Sequence, residues 1–529
     1  MSAPAHGAPP MKFSMPMFKD WVPEKIRPWI YVCFILTFQL TSGLYLGGLS
    51  EIVGDRSLMR EDVLMGLYAS LSGMAFAFPF LFRMKFRFTN QQLLLFASLG
   101  IAVLNVAALH LTSCLPVLWL VCFLTGYLKL QGTFECVSNI QLWISPTRDL
   151  RAFFPTLHLW ILCAISLSDL LAVYLCYYAT WHYMTYLMVG LMLLDALLFV
   201  VLLRPFRFMK PMPLLGIDWL GAVLWVLAFL QYAYIFTYGE FYNWWESPVI
   251  RQLTVTTTLT FLLAIVRMLF IRHPIIEPRM WMNRYLPAIL FAMFVLEVLA
   301  ATERVLEEVY YEAMEWEPIT RVAMHWPVIA GSVAACLFSL WWLHRRHYGR
   351  VRLVAIGVGA FVVYLMCFDF MVSPELRMQM LYVPLFVRGF AIGVFSIVML
   401  YSIGSVMDFM VFFQSLAIFQ TIHLMLGGVV GSAIYSYGVR RLMADRIARY
   451  GGYIDSLALA PQEMPSRIAE VMNAFQISTV KQLYGLAIYF ALALLLAIVL
   501  YDTPYMRDRV RRLPQWSTVG ASLWRWLGR

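Results

Sequence analysis

Charge is the scarcest component of this sequence. Asp, Glu, Lys and Arg make up 13% of its 529 residues, where a soluble globular protein carries about 25%. A soluble chain of this length would divide into several domains, each with a charged skin. There is too little charge to cover them, which excludes a soluble multidomain enzyme and a disordered chain. A nucleic-acid-binding module is excluded as well, because the cations are scattered over many short segments and form no patch. Paired cysteines are also missing. Cys33, Cys114, Cys122, Cys136, Cys163, Cys176, Cys336 and Cys367 all fall in apolar runs without a paired motif. Neither a disulfide framework nor a zinc site is implied, and no cofactor is expected. No Gly-rich nucleotide loop appears, which argues against an ATP-driven pump. No cleavable leader is evident: the first 28 residues are polar and Pro-rich, and the next apolar run is long enough to remain as a span.

Apolar residues, by contrast, make up 61% of the chain, and the mean hydropathy is +0.72. They are grouped. A helix needs about 20 mostly apolar residues to cross the hydrocarbon core. Fourteen such stretches occur, near 29–48, 63–82, 91–111, 115–138, 154–177, 182–203, 216–237, 250–271, 285–302, 322–343, 353–372, 379–402, 412–437 and 481–501. They are too long and too uniformly apolar for barrel strands. Backbone polar groups in lipid then require helices, so an all-α polytopic membrane protein is expected.

Fourteen spans place both termini on one side. The Lys and Arg distribution puts that side in the cytoplasm. It would carry Lys12, Lys19, Lys25 and Arg27, the short loops around Arg83, Arg148, Arg204, Arg272 and Arg345, and the basic tail 502–529. The net charge of +10 then faces anionic lipid headgroups. Trp516, Trp524 and Trp526 among the tail's arginines read as an interfacial anchor. Two loops on the other side are long. Residues 303–321 hold Glu303, Glu307, Glu308, Glu312, Glu315 and Glu317, read as a solvated helical extension with a cation site as the alternative. Residues 438–480 hold two helical patterns broken by Gly451-Gly452, read as a small extracytoplasmic cap.

The spans factor as six, two and six. The expected division is a segment 1–28, a bundle 29–203, a basic linker with two additional helices 204–284, a second bundle 285–501 and the tail 502–529. Pro205, Pro211 and Pro213 punctuate the linker. A two-half transporter with its site at the midplane between the halves fits this plan.

Several segments carry a resemblance. Ile217-Asp218-Trp219-Leu220-Gly221, with Gly239, Trp245, Ser247-Pro248 and Ile250, is similar to the seventh span and following loop of the fourteen-span drug:proton antiporters of the major facilitator superfamily. Leu130-Gln131-Gly132 resembles that family's Arg-x-x-Gln-Gly motif. Arg388-Gly389 with Gly393 resembles its Arg-Gly-x-Gly-x-Gly pattern, and Gly427-Gly428-x-x-Gly431 its Gly-Gly-x-x-Gly. The resemblance covers most of the chain and implies a major-facilitator-type fold, two six-helix bundles plus two central helices. It also implies proton-coupled export of amphipathic or hydrophobic small molecules from the inner membrane. The implied partners are the substrate, protons and the bilayer, with a periplasmic adaptor and an outer-membrane channel as candidates. The chain departs from the family at several points. The loop between spans 2 and 3 carries Arg83, Lys85 and Arg87 but no Asp. Leu128 stands where the fourth-span Arg is expected. The fifth span lacks the Gly-Pro signature, and Gln39, Thr41 and Ser42 lie near the place of the first-span Asp.

Charges inside membrane helices cost at least about 2.5–3.5 kcal/mol each at the centre and are functional hypotheses. They are Glu135, Asp169, Asp195, Glu297, Asp369, Lys129 and Arg388. A buried carboxylate can load and release a proton as access alternates. Asp169 ranks first, with a hydrogen bond to Ser166, Ser168 or a neighbouring span as its structural alternative. Glu135 follows; Lys129 is six residues earlier, about 9 Å along the axis and on another face. Arg388 can bind a carboxylate bidentately. Asp195 is mid-span in the sixth helix. Glu297 and Asp369 lie nearer the span ends, where snorkelling or loop contact is the expectation, and His423 reads as a packed histidine. Gln131 and Gln39 offer uncharged contacts to a substrate or to neighbouring helices. Uptake or lipid flipping on the same fold stays open. An integral-membrane transferase would need a His-Asp pair, and His158 and Asp169 stand about 16 Å apart along one helix.

Overall fold

A computed structural model describes residues 15–501, apart from 42–47, 111–113, 148, 208–209, 212–216, 284, 346–348, 408 and 456–463. The tail with its three tryptophans lies outside the described residues. Each expected apolar run contains a helix. The first six spans are α1 (Arg27–Leu40), α3 with α4 (Arg60–Ala77 and Leu81–Arg87, joined by a 3-10 turn, Phe78–Phe80), α5 (Asn90–His110), α6 (Leu115–Ile144), α7 (Leu150–Tyr178) and α8 (His182–Leu202). A short helix, α2 (Leu49–Arg56), precedes α3. The next pair is α9 (Trp219–Tyr238) and α10 (Pro248–Phe270). The last six spans are α11 with α12 (Tyr285–Ala300 and Thr302–Ala313), α13 (Pro318–Arg345), α14 (Arg350–Met371), α15 (Tyr382–Val406), α16 with α17 (Phe409–Thr421 and Gly427–Asp455, joined by a π-helical turn, Ile422–Leu426) and α18 (Met464–Tyr501). Among the described residues, thirteen helices are long and apolar enough to cross a membrane. The chain is thus all-helical and multi-pass.

α1 is the exception. Its 14 residues reach about 21 Å, short of the ~30 Å hydrocarbon core. The helix stops at Leu40, and Thr41 is already extended, with ψ near 140°.

Local chemistry explains the segment around residue 218. The Asp218 carboxylate caps α9 by accepting from the Gly221 N–H at 2.9 Å and receives Arg267 Nε of α10 at 2.8 Å. A Cβ on Gly221 would sit 2.0 Å from that carboxylate. Ser247 caps α10, with Pro248 in its first turn. The motif thus starts both helices of the α9–α10 hairpin and ties them together.

In each half, the second and fourth spans cross through glycines. A Cβ on Gly73 or Gly126 would meet the Phe123 or Ser70 carbonyl at 2.0 and 1.9 Å, between α3 and α6. One on Gly331 or Gly389 would meet the Phe386 or Val328 carbonyl at 2.1 and 2.3 Å, between α13 and α15. The halves meet where α7 packs on α13 and α15, and α3 on α16. The α9–α10 hairpin lies against α3 and α17.

The halves are closed on the side that carries the N-terminus. One apolar cluster there includes residues of both halves, among them Phe154, Leu343 and Ile403. Phe413 of α16 packs edge-on against Phe82 and Phe134, with ring centroids 4.5 and 5.7 Å away. Arg151 Nε donates to the Tyr401 hydroxyl at 3.3 Å. Toward the far side each half has its own cluster. A smaller one, with Tyr68 of α3, Tyr238 of α9 and Val429 of α17, bridges them.

Three expectations need correction. Gly451-Gly452 do not break the loop 438–480: α17 runs through them to Asp455. The propensity cost of a helical glycine, about 1 kcal/mol, is too small to stop a 29-residue helix. Lys85 is no loop cation; it is buried in α4. The segment 303–321 is not simply a solvated extension, because Glu307 of α12 is 3% exposed.

The glycine crossings set a test. Gly126→Val and Gly389→Val should each destabilise the detergent-purified protein by about 1–3 kcal/mol through overpacking. Gly359→Val, where a Cβ meets nothing within 4 Å, should leave the melting temperature unchanged.

Candidate functional site

The charged residues of the first half fall into three separate sets. The first surrounds Glu135. Lys85 Nζ donates to Glu135 Oε2 at 3.1 Å, to Ser138 Oγ at 2.6 Å and to Asn139 Oδ1 at 2.9 Å. Asn139 Nδ2 donates to Glu135 Oε1 at 3.1 Å and to the Tyr31 hydroxyl at 3.2 Å. Glu135 is therefore paired with Lys85 and not with Lys129, and Lys85, Glu135, Asn139 and Tyr31 are all buried. The second set is Asp195, whose Oδ2 accepts from Thr37 Oγ1 of α1 at 2.5 Å.

The third set forms where α1 stops. Lys129 Nζ donates to the Gln39 carbonyl at 2.9 Å, and Ser168 Oγ to the Leu40 carbonyl at 3.1 Å. A helix end leaves its last carbonyls without helical partners, and α6 and α7 supply them. Gln39 Nε2 donates to Thr133 Oγ1 at 3.1 Å. Asp169 follows Ser168 on α7 and lies in the field of Lys129. Ser168 thus serves the α1 backbone and not Asp169. Both Asp169 and Lys129 keep accessible surface, so they border an open space. Gln131, two residues beyond Lys129, is 1% exposed with neither amide atom hydrogen-bonded. The Tyr127 hydroxyl is near it, outside hydrogen-bond geometry.

In the second half the centre is Arg388. Its Nη1 donates to Glu307 Oε2, and its Nε lies 3.4 Å from Glu303 Oε2. Glu307 also accepts from the Tyr311 hydroxyl at 2.9 Å and the Tyr364 hydroxyl at 2.5 Å, and Tyr364 touches Tyr484. The cation site considered for the Glu-rich segment is filled by a guanidinium. Glu297 is buried as well, contrary to the snorkelling expectation. Its Oε1 meets His423 Nδ1 at 2.7 Å, and His423 sits in the π-helical turn before α17. Such turns recur at functional sites. The Gly427-Gly428-x-x-Gly431 face makes this contact feasible. A Cβ on Gly427 would lie 2.4 Å from Glu297 Cβ, and one on Gly431 2.6 Å from Ala301 Cβ. His423 also lies in the field of His158 on α7. Asp369 is half-buried on α14, with Oδ1 lacking a hydrogen bond.

Glu303 of α12 lies across the junction from Asp169 of α7, farther from it than an ion pair. Asp169, Lys129 and Gln39 thus gather around the end of α1, and Arg388 is held in the second half by Glu303 and Glu307, whereas Glu135 and Asp195 stand apart from both. Glu303, Glu307, Arg304 and Lys85 were not among the residues the sequence singled out as intramembrane charges. The i, i+4 spacing of Glu303, Glu307 and Tyr311 was the available signal for the first two.

Solved structures share the helical architecture. A mutant of the nucleoside transporter NupG aligns with TM-score 0.54 and 11% identity, covering 90% of this chain and 99% of that one. The unmutated NupG aligns at 0.51 and 14%, with the same coverage. The chain has the major-facilitator fold. The human organic anion transporter MFSD10 aligns at 0.49 and 12%, over 89% of this chain and 100% of that one. No protein-family model and no curated protein sequence matches the chain. Within this fold the α9–α10 pair stands between the two six-helix halves in sequence.

Breaking a buried ion pair from one side leaves an uncompensated charge, at a cost of about 3–5 kcal/mol. Arg388→Met should therefore lower the melting temperature more than the double change Arg388→Met with Glu307→Gln. Equal or additive losses would contradict the pairing.

Proposed function

We propose that the protein is a secondary active transporter, not an enzyme, which exports amphipathic or hydrophobic small molecules in exchange for protons. The two six-helix halves rock around the central region, and the N-terminal, basic face lies in the cytoplasm. The observation that carries this reading is the set of ionisable groups at the junction of the halves, Asp169 and Lys129 on one side and Glu303 and Arg388 on the other. Charges at that depth are costly unless they serve a path. A transport role also agrees with the nucleoside transporter whose fold the chain shares.

Within this reading Asp169 carries the proton. It borders the open space, and the Lys129 ammonium beside it is held at the α1 end. Protonation of Asp169 removes the attraction that draws Lys129 off the Gln39 carbonyl. Deprotonation restores it. Glu135 and Asp195 hold the first half together, each by hydrogen bonds within that half.

Reconstituted inverted vesicles with an acidic lumen should accumulate members of a panel of cationic, neutral and anionic amphipathic dyes. Asp169→Asn should abolish the dependence on the gradient while leaving passive exchange. Absence of gradient-driven movement for every dye, or an unchanged gradient dependence in Asp169→Asn, would overturn the reading.

A further inference from the structure

Three acids in or near the junction of the halves each have a cationic or histidine neighbour. Asp169 lies in the field of Lys129, Glu303 is 3.4 Å from Arg388, and Glu297 meets His423 at 2.7 Å. The cations are matched in the same way, with one exception. Lys129 is held by the Gln39 carbonyl and Arg388 by Glu307. Arg304, one residue after Glu303, has no ion-pair partner among the described residues; Glu297 and Glu303 act on it from longer range. It lies within the ninth span, about 10 Å along the helix beyond Glu297.

The position of the side chain is built. Its guanidinium rests on the backbone of α17 at Gly428, where a Cβ would come within 2.4 Å of Nη1 and 3.3 Å of Cζ. Tyr68 of α3 neighbours it from the other half. Arg304 is nevertheless exposed, so donors of its planar fork beyond those turned to Gly428 and Tyr68 remain accessible where the halves meet. A guanidinium at membrane depth that meets a tyrosine hydroxyl but no ion-pair partner among the described residues favours a ligand oxyanion, which it can grip through two parallel hydrogen bonds.

We propose that Arg304 receives the charged head of the transported molecule, which makes the substrate an amphipathic organic anion, a carboxylate or other oxyanion on an apolar body. This rests on the transporter reading and narrows its substrate class. Gly428 is the positioning residue, since it leaves the room that the guanidinium occupies.

The test uses three isosteric probes, 1-naphthoate, 1-naphthamide and 1-naphthylmethylammonium, and the detergent-purified full chain. Dissociation constants are read from ligand-induced shifts in melting temperature. The wild type should bind naphthoate at least about tenfold more tightly than the other two, as expected for a bidentate charged contact. Arg304→Gln should erase that preference. Gly428→Ala moves only the tip of a flexible side chain; it should weaken naphthoate and leave naphthamide unchanged, with the apo melting temperature retained. Absence of a preference in the wild type, or its persistence in Arg304→Gln, overturns the proposal. Stabilisation by phosphatidylglycerol that depends on Arg304, with none by naphthoate, assigns the contact to a lipid headgroup and overturns it too. These readings need no gradient, so failure of the vesicle assay defeats the export reading alone. Intact dye export with no anion preference defeats the anion assignment alone.

Discussion

A backbone N–H or C=O group in hydrocarbon has no water to turn to, and every element of this structure follows from that constraint. Continuous helices meet it internally, which is why each apolar run contains a helix. The one place where a spanning helix stops short shows the constraint from the other direction. α1 ends at Leu40, and the two carbonyls it leaves behind are met by the Lys129 ammonium and the Ser168 hydroxyl. An irregular backbone at membrane depth is tolerated only inside protein or against a polar cavity. The end of α1 therefore fixes where the polar centre of the first half has to be.

The halves handle their charges differently. The first half closes Glu135 and Asp195 into sets of short hydrogen bonds, so these acids tie α1, α4, α6 and α8 together. The second half places Arg388 between Glu303 and Glu307, and three tyrosines collect around Glu307. Glu307 thus faces the core of its own half and Glu303 the junction. One helical turn separates a structural acid from one that reaches Asp169.

Hydropathy made the helices legible, because lipid imposes a length and a composition that a single sequence displays directly. The crossings were legible only as motifs. Gly427-Gly428 could be seen, but not that one glycine admits Glu297 and the other Arg304. Charge was the least legible feature. Lys85 looks like a loop cation because it stands between Arg83 and Arg87, yet α4 carries it inward to Glu135. Glu307 is one of several glutamates in a segment that reads as solvated, and only the approach of α14 and α15 distinguishes it from Glu308 and Glu312. A one-dimensional pattern gives the depth of a residue along its helix. It does not give the neighbour that faces it.

α18 has 38 residues, a length of about 57 Å, nearly twice the ~30 Å hydrocarbon core. Its packing partners α14 and α12 hold it to the second half, so it turns when that half turns. A tilt of about 10° about one end would sweep the other through about 10 Å, given that length. The helix is a pointer fixed to the moving body, and it magnifies outside the bilayer a rotation that is small inside it.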